Sequence, residues 1–176
     1  MKEKAPENSL GIYLTNRKIG NIEIYAKTSI PTSDLSRLRS GKISSIPANK
    51  LYLISLVSEE PIGKIVEIIY PNLNLVSNRT SQQKSKEKFT KLGSLLISVH
   101  NEVNSLNSIS FKTGIKLPRL KDLIKKESAV ILAHELYLIE LATEAKVGSY
   151  FERLFSGLQL NSSKMQEKLK IEERNR

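Results

Sequence analysis

The segment Leu51-Tyr52-Leu53-Ile54 occurs a second time as Leu136-Tyr137-Leu138-Ile139, at an offset of 85 positions (136 − 51). The same offset aligns residues 27–75 with 112–160, and 17 of these 49 pairs are identical without a gap. Identity of this extent at one fixed offset indicates an internal duplication. The sequence therefore predicts two copies of one small domain, with Tyr52 and Tyr137 at the edges of their cores.

Composition narrows the classes of function. The 176 residues include 28 basic and 18 acidic side chains, for a net charge of +10, with two histidines and no cysteine. Disulfides and thiolate metal sites are thereby excluded, and the isolated His100 and His134 do not suggest a metal site. We expect no cofactor and no small-molecule ligand. The excess of basic residues favours a polyanionic partner, with solubility alone as the alternative.

Neither a membrane protein nor an enzyme is indicated. There is no apolar run of about 18 residues, and the first residues lack the apolar segment of a secretory signal. No recognisable spacing of Ser, His and Asp suggests a nucleophilic triad, and there is no glycine-rich phosphate loop. We therefore expect a cytoplasmic, nucleoid-associated protein without a membrane partner and without enzymatic activity.

Apolar spacing and helix-breaking residues predict an all-α fold with five short helices in each copy. Residues 8–75 are expected to form the first domain, 76–87 a basic linker and 88–160 the second domain. Residues 161–176 are a charged C-terminal tail that either forms an extra helix or frays. The helices are expected over 9–18, 21–27, 32–39, 47–58 and 61–70, and again over 89–99, 106–112, 118–125, 132–143 and 147–155.

The predicted third helix, Thr32–Arg39, buries only the narrow stripe of Leu35 and Leu38. Thr32 or Ser33 is expected to cap it, and Asn21 to cap the preceding helix. A short helix, a tight turn and a helix with a polar outer face form a helix-turn-helix, whose second helix enters the major groove of DNA. We call Thr32–Arg39 the reading helix. Its outward residues are expected to be Thr32, Ser33, Ser36, Arg37 and Arg39.

The stretch from Ser29 to Lys42, followed by Pro47 and the apolar segment 51–56, resembles the phage-repressor-type (XRE, lambda-repressor-like) helix-turn-helix family. It is most similar to variants associated with Bacteroidetes regulators. The resemblance covers residues 9–71 and, more weakly, 93–156. It implies two tandem five-helix domains that bind double-stranded DNA. Members of this family usually act as dimers on palindromic operators.

The resemblance also implies roles for individual residues. Arg39 stands where the family usually has Glu, which would raise affinity for phosphate. In the turn, Ser29 replaces the usual glycine, and Tyr25 replaces a small residue of the second helix. The start of the helix after Pro47 would form a phosphate site. The resemblance assigns groove reading to Thr32, Ser33, Ser36 and Arg37. It assigns a phosphate contact to Asn21, and it places Gly41 and Lys42 in the loop beside the DNA backbone.

The second copy keeps the turn residues Ser110 and Gly114 but loses most of the polar reading face. Leu117 and Pro118 occupy the first reading positions, Asp122 replaces Arg37, and Ile124 replaces Arg39. Arg119 and Lys121 could still hold phosphates. The second copy therefore either reads a degenerate half-site, so that one chain mimics a dimer, or acts as a dimerisation domain with Leu117 and Ile124 in the interface.

These observations predict a sequence-specific, DNA-binding transcriptional regulator. The alternative from another class is a protein-interaction module, either antitoxin-like or a phage-encoded adaptor, that uses the helical repeats to hold another protein without reading DNA. Salt dependence of binding to random duplex DNA separates the two, because phosphate contacts release counterions and an adaptor makes few of them.

Overall fold

The computed structural model describes residues 8–75, 90–98 and 105–175. In these ranges the chain forms eleven α-helices, which confirms the predicted all-α class. The predicted linker at 76–87 lies outside the described residues, as does Phe89, where the first helix of the second copy was expected to begin. Most predicted helices occur with ends shifted by one or two residues.

The helices fall into two successive sets of five, followed by one more. The last helix, α11, spans Ser163–Arg174. The C-terminal segment was predicted either to form an extra helix or to fray, and it forms the helix. The first set is α1 Leu10–Asn16, α2 Asn21–Thr28, α3 Thr32–Arg39, α4 Ala48–Ser58 and α5 Ile62–Ile69. The second set is α6 Lys91–Ser98, α7 Leu106–Thr113, α8 Leu117–Lys125, α9 Ala133–Ala142 and α10 Ser149–Phe155.

The predicted helix caps were wrong at two helices. Gly20, not Asn21, is the residue before α2, and Pro31, not Thr32 or Ser33, is the residue before α3. Pro31 has φ −54° and ψ 139°, a conformation that the fixed ring of proline adopts without strain. The Asn21 side chain is instead used in a contact with α3. Pro47 and Pro61 likewise precede α4 and α5 rather than forming their first turn.

The two sets of helices make the same internal contacts. In the first set α3 packs on α1 and α2, α4 packs on α2 and α5, and α1 packs on α5. In the second set α8 packs on α6 and α7, α9 packs on α7 and α10, and α6 packs on α10. The left-handed residues Ser29 and Glu59 also recur 85 positions later, at Gly114 and Glu144. The backbone therefore repeats in the register of the sequence duplication.

The two sets meet through α4 and α5 of the first and α9 and α10 of the second. At the centre of this junction Ala48 N donates to Ile131 O at 3.0 Å, and Ala133 N donates to Ile46 O at 2.7 Å. Ala48 aligns with Ala133, and Ile46 aligns with Ile131, so exchanging the two copies converts each hydrogen bond into the other. Such an exchange is the mark of an isologous, two-fold contact, here within one chain.

A second contact joins two aligned glycines, Gly63 on α5 and Gly148 at the start of α10. A Cβ atom on Gly63 would lie 2.4 Å from Val147 O, and one on Gly148 would lie 2.6 Å from Gly63 N. Gly148 also has φ +90°, which side-chain-bearing residues rarely adopt. The backbones of the two halves thus touch without intervening side chains.

Aromatic side chains surround these backbone contacts. The Tyr52 ring lies 5.9 Å from that of Phe155, and the Tyr70 ring lies 6.4 Å from that of His134. Burial lowers the pKa of His134, so its neutral form is favoured at the junction. Of the two repeated tyrosines, Tyr137 is buried and Tyr52 is half-buried. The buried apolar side chains of both halves form one continuous core.

A buried carboxylate holds α10 against α9. Glu140 is fully buried, and its two oxygens accept hydrogen bonds from Gly148 N at 2.8 Å and Tyr150 N at 2.6 Å. Burial raises the pKa of Glu140 from 4.5 to about 7, although these backbone N–H groups favour the charged form. The carboxylate thus satisfies amides at the start of α10 that the helix itself leaves without a partner.

Replacing Gly63 with Ala should lower the free energy of unfolding by about 2 kcal/mol or more, because a methyl group would overlap Val147 O. Gly157→Ala is the matched control, since nothing lies within 4 Å of a Cβ atom there. Urea unfolding of both variants measures the difference. Equal stability of the two variants would contradict the close junction.

The stability contributed by Glu140 should fall with rising pH. Because its pKa is raised on folding from 4.5 to about 7, the folded state binds more protons in this interval, and stability declines from pH 4.5 to pH 7 and is level above it. The total decline is about 3 kcal/mol. The difference in free energy of unfolding between the wild type and Glu140→Gln, measured by urea unfolding from pH 4.5 to 8, isolates this contribution. A difference independent of pH would contradict it.

Candidate nucleic-acid interface

The turn between α2 and α3 forms without a glycine. Ser29 takes the left-handed conformation with φ +61°, where the second copy has Gly114 with φ +73°. Thr28 stabilises the turn because its hydroxyl donates to Ile24 O at 2.6 Å and accepts from Ile30 N at 3.2 Å. A non-glycine residue here costs about 1 kcal/mol. The predicted succession of a short helix, a tight turn and a second helix is therefore present in the first copy.

The reading helix coincides with α3 and presents a polar face. Leu35 and Leu38 are 1% and 4% exposed, as the apolar stripe predicted. Ser33, Ser36 and Arg37 are exposed on the other face. The face carries two hydroxyls and one guanidinium, which are groups that hydrogen-bond to base edges and phosphates.

The loop after α3 continues this polar surface. Gly41 has φ +72° and reverses the chain, and Lys42 follows it in an exposed position. The amide of Ile43 then donates to Arg37 O at 3.2 Å and closes the turn. Lys42 thus lies in an exposed loop just beyond the C-terminal end of α3, and its contact with the DNA backbone stays a prediction.

Asn21 and Arg39 are engaged within the protein. Asn21 Nδ2 donates to Ser36 Oγ at 3.0 Å, and Arg39 Nε donates to Asn21 Oδ1 at 3.1 Å. Arg39 Nη2 donates to Ile19 O at 2.6 Å, and its Nη1 lies 3.3 Å from Thr15 Oγ1. This network fixes the orientation of α3 against the α1–α2 corner. Both residues were predicted to contact DNA, and the structure shows them positioning the reading helix.

Thr32 contacts the C-terminal helix. Its hydroxyl donates to the Glu173 carboxylate, so α11 reaches the first residue of the reading helix. The residues just before α11 bind the preceding turn, because Asn161 Nδ2 donates to Ser29 Oγ at 2.9 Å and to Ala26 O at 2.9 Å. Contacts between residues more than 130 positions apart leave no local pattern, and the sequence analysis missed both Asn161 and Glu173.

In the second copy, Arg119 forms a two-pronged ion pair. Arg119 Nε and Nη2 donate to the two Glu135 oxygens at 2.7 and 2.8 Å, and Nη2 also donates to Val130 O at 2.8 Å. The hydrogen bond that Arg119 donates to the Glu135 side chain raises the pKa of Arg119 above its already high value. Arg119 was predicted to hold a phosphate, and the structure joins α8 to α9 through it.

The rest of α8 presents little polar surface for reading. Lys121 is exposed, and its contact with a phosphate stays a prediction. Ile124 is only 4% exposed and belongs to the core, and Leu117 is half-buried. Of the two residues predicted to offer an apolar interface to another chain, one is therefore a core residue of its own half.

The ion pair of α8 has a counterpart with reversed charges in the first copy. Lys50 Nζ lies 2.9 Å from Asp34 Oδ2, and the aligned positions carry Glu135 and Arg119. The acidic and basic residues have exchanged places between the copies while the contact was kept. Aligning the two copies reveals this exchange, which is the signal that could have identified Lys50 and Glu135 from the sequence.

The comparisons with known proteins provide no relative. No family model matches the chain, and neither a curated protein nor a solved structure is significantly similar to it. Within the described residues, no group of His, Asp and Glu side chains could hold a metal ion. No helix in the described ranges is long and apolar enough to cross a membrane.

At one of these ion pairs, exchanging both charges should be tolerated, whereas reversing only one of the two charges should not. Lys50→Glu places a carboxylate beside Asp34 and should lower the free energy of unfolding by about 1 kcal/mol, since both partners are partly exposed. Adding Asp34→Arg recreates the arrangement of the second copy and should restore most of the loss. A double-mutant cycle by urea unfolding measures the coupling. Additive losses would show that the pair is not exchangeable.

Proposed function

We propose that the protein is a sequence-specific regulator of transcription that binds double-stranded DNA through two tandem five-helix domains of the lambda-repressor-like type. The observation that carries the proposal is the exposed polar face of α3 behind a well-formed turn, with Ser33, Ser36 and Arg37 pointing outward. The net charge of +10 supplies attraction to phosphates whatever the base sequence. Its place of action is the nucleoid.

The reading helix is held firmly enough for base recognition. Ser36 and Arg39 are tied to Asn21, and Arg39 is tied to the α1–α2 corner. Specific contacts require side chains on a rigid element, because a small displacement of the helix misaligns every donor with its base. Arg37 is the base reader in this scheme, since a guanidinium pairs with guanine in a bidentate manner.

The two-fold junction supports a half-site arrangement within one chain. In a dimeric helix-turn-helix protein, two reading helices related by two-fold symmetry bind half-sites about one helical turn apart. Here α3 and α8 are related by the junction of α4 and α5 with α9 and α10. The corresponding surfaces of the two copies are thus already in contact within one chain. We therefore favour the half-site role of the second copy over pairing of two chains.

The two half-sites would not be equivalent. The α3 side offers Ser33, Ser36 and Arg37, whereas α8 offers chiefly Lys121, because Arg119 is bound to Glu135. The first half would read bases and the second would hold the DNA backbone. The operator would then be asymmetric, because its base sequence would be constrained in the half bound by α3 and relaxed in the half bound by α8.

The protein-interaction alternative rests on one observation. Ile12 and Ile68 are 67% and 41% exposed, and they line an open groove between α1 and α5 together with Tyr13 and Arg17. Exposed apolar residues beside one another suit a protein surface. Binding to random duplex DNA at low salt distinguishes the two functions, because an adaptor would bind weakly and with little salt dependence.

Replacing Arg37 with Ala should lower affinity for the selected operator by about 1–3 kcal/mol and relax base preference at one position. Arg153→Ala is the charge-matched control, because it removes an exposed arginine from α10 instead of the reading helix. Selection from random duplexes, followed by footprinting, identifies the site, and titration with each variant gives the affinities. An operator preference unchanged by Arg37→Ala would show that α3 does not read DNA.

A further inference from the structure

The chain after the second copy returns to the helix-turn-helix of the first. Asn161 N donates to Lys27 O at 2.7 Å, and its side chain bonds to Ala26 O and to Ser29 Oγ. Gln166 Nε2 then donates to Asn161 O at 2.6 Å. Residues 161–174, which we call the C-terminal arm, are thus anchored at the end of α2 and at the turn that precedes the reading helix.

From this anchor α11 runs along α2. Leu169 is the buried side chain of α11, and Ala26 beneath the arm is fully buried. Met165 and Ile171 on the same helix are 40% and 59% exposed. An attachment with so little apolar burial can open without unfolding of the core, because helix stability in proteins derives mainly from packing of an apolar face.

The far end of the arm lies against the start of the reading helix. The Glu173 carboxylate accepts a hydrogen bond from the hydroxyl of Thr32, the first residue of α3. The N-terminal end of a helix carries partial positive charge and attracts anions. Glu173 therefore lies where an anionic group of DNA would approach the first turn of this helix.

Among the described helices, α11 packs only on α2 of the first copy. Phe111 on α7 aligns with Ala26 on α2, yet Phe111 is 53% exposed and Ala26 is fully buried. In the second copy, Leu117 stands in place of Thr32 and has no hydroxyl to donate. The arm is thus confined to the half that carries the polar reading face.

We propose that the C-terminal arm is an autoinhibitory segment that competes with DNA for the first turn of the reading helix. This inference rests on the proposed function. While the arm is docked, the Thr32 hydroxyl donates to Glu173 and cannot donate to a base or phosphate, and a fixed carboxylate repels the approaching backbone. DNA binding therefore displaces the arm, and the arm lowers the affinity of the closed protein.

Three full-length variants test the arm. Glu173→Gln removes the charge at Thr32, and Leu169→Ala weakens the packing on α2. Glu172→Gln is the matched control, because it removes the same charge from an exposed neighbouring position. Affinity for the selected operator should rise about fivefold or more with Glu173→Gln and with Leu169→Ala, and less than about twofold with Glu172→Gln.

Hydrogen exchange gives a readout independent of affinity. Addition of operator to the wild type should speed amide exchange over α11, because the arm leaves α2 when DNA binds. Unchanged exchange in a saturated complex would overturn the proposal. So would equal affinities of wild type and Glu173→Gln, or weaker binding by Leu169→Ala, since a competing arm can only lower affinity. If neither wild type nor any variant binds duplex DNA, the proposed function itself fails, and this inference fails with it.

Discussion

The two-fold contact between the copies is the constraint on which the rest of the structure depends. Two exchanged backbone hydrogen bonds, between Ala48 and Ile131 and between Ala133 and Ile46, align the halves, and Gly63 lies directly against the start of α10. Backbone groups cannot be replaced by substitution, and glycine contacts tolerate no added atom. These contacts therefore hold one relative position of the halves while the surrounding side chains diverge. That position relates α3 to α8 by the same symmetry.

The two copies differ most in the side chains outside their shared apolar core. The apolar pairs Leu35 and Leu120, Leu51 and Leu136, and Ile54 and Ile139 are buried in both copies, whereas the buried Ser55 is replaced by the buried Glu140. The exchange of Asp34 and Lys50 for Arg119 and Glu135 shows that an ion pair can reverse its polarity when both partners change, even though Glu135 is buried. Helix α3 thus carries an exposed polar face, whereas most of the corresponding polar side chains are absent from α8.

More of the fold than of the candidate site could be predicted from the sequence. Apolar spacing placed Leu35 and Leu38 in the core, and the duplication placed equivalent turns at Ser29 and Gly114. Side-chain partners were less accessible, because hydrogen bonds are made across the structure. The sequence did not indicate that Arg39 donates to Ile19 O and Asn21, because these bonds depend on how α1 meets α3. The predicted caps were displaced by one residue at α2 and by one or two residues at α3, because glycine and proline adopt the pre-helical conformation there and the Asn21 side chain bonds to Ser36 on α3.

By itself, the sequence determined that the protein is helical, that it contains two related halves, and which narrow stripe of the reading helix is buried. These properties follow from periodicity and internal identity, which are local or directly comparable along the chain. The tertiary structure alone decided that the halves pair with each other through α4, α5, α9 and α10, that Arg119 is occupied by Glu135, and that α11 returns to Thr32. Such contacts join residues far apart in the chain, and their geometry exists only after the helices have packed.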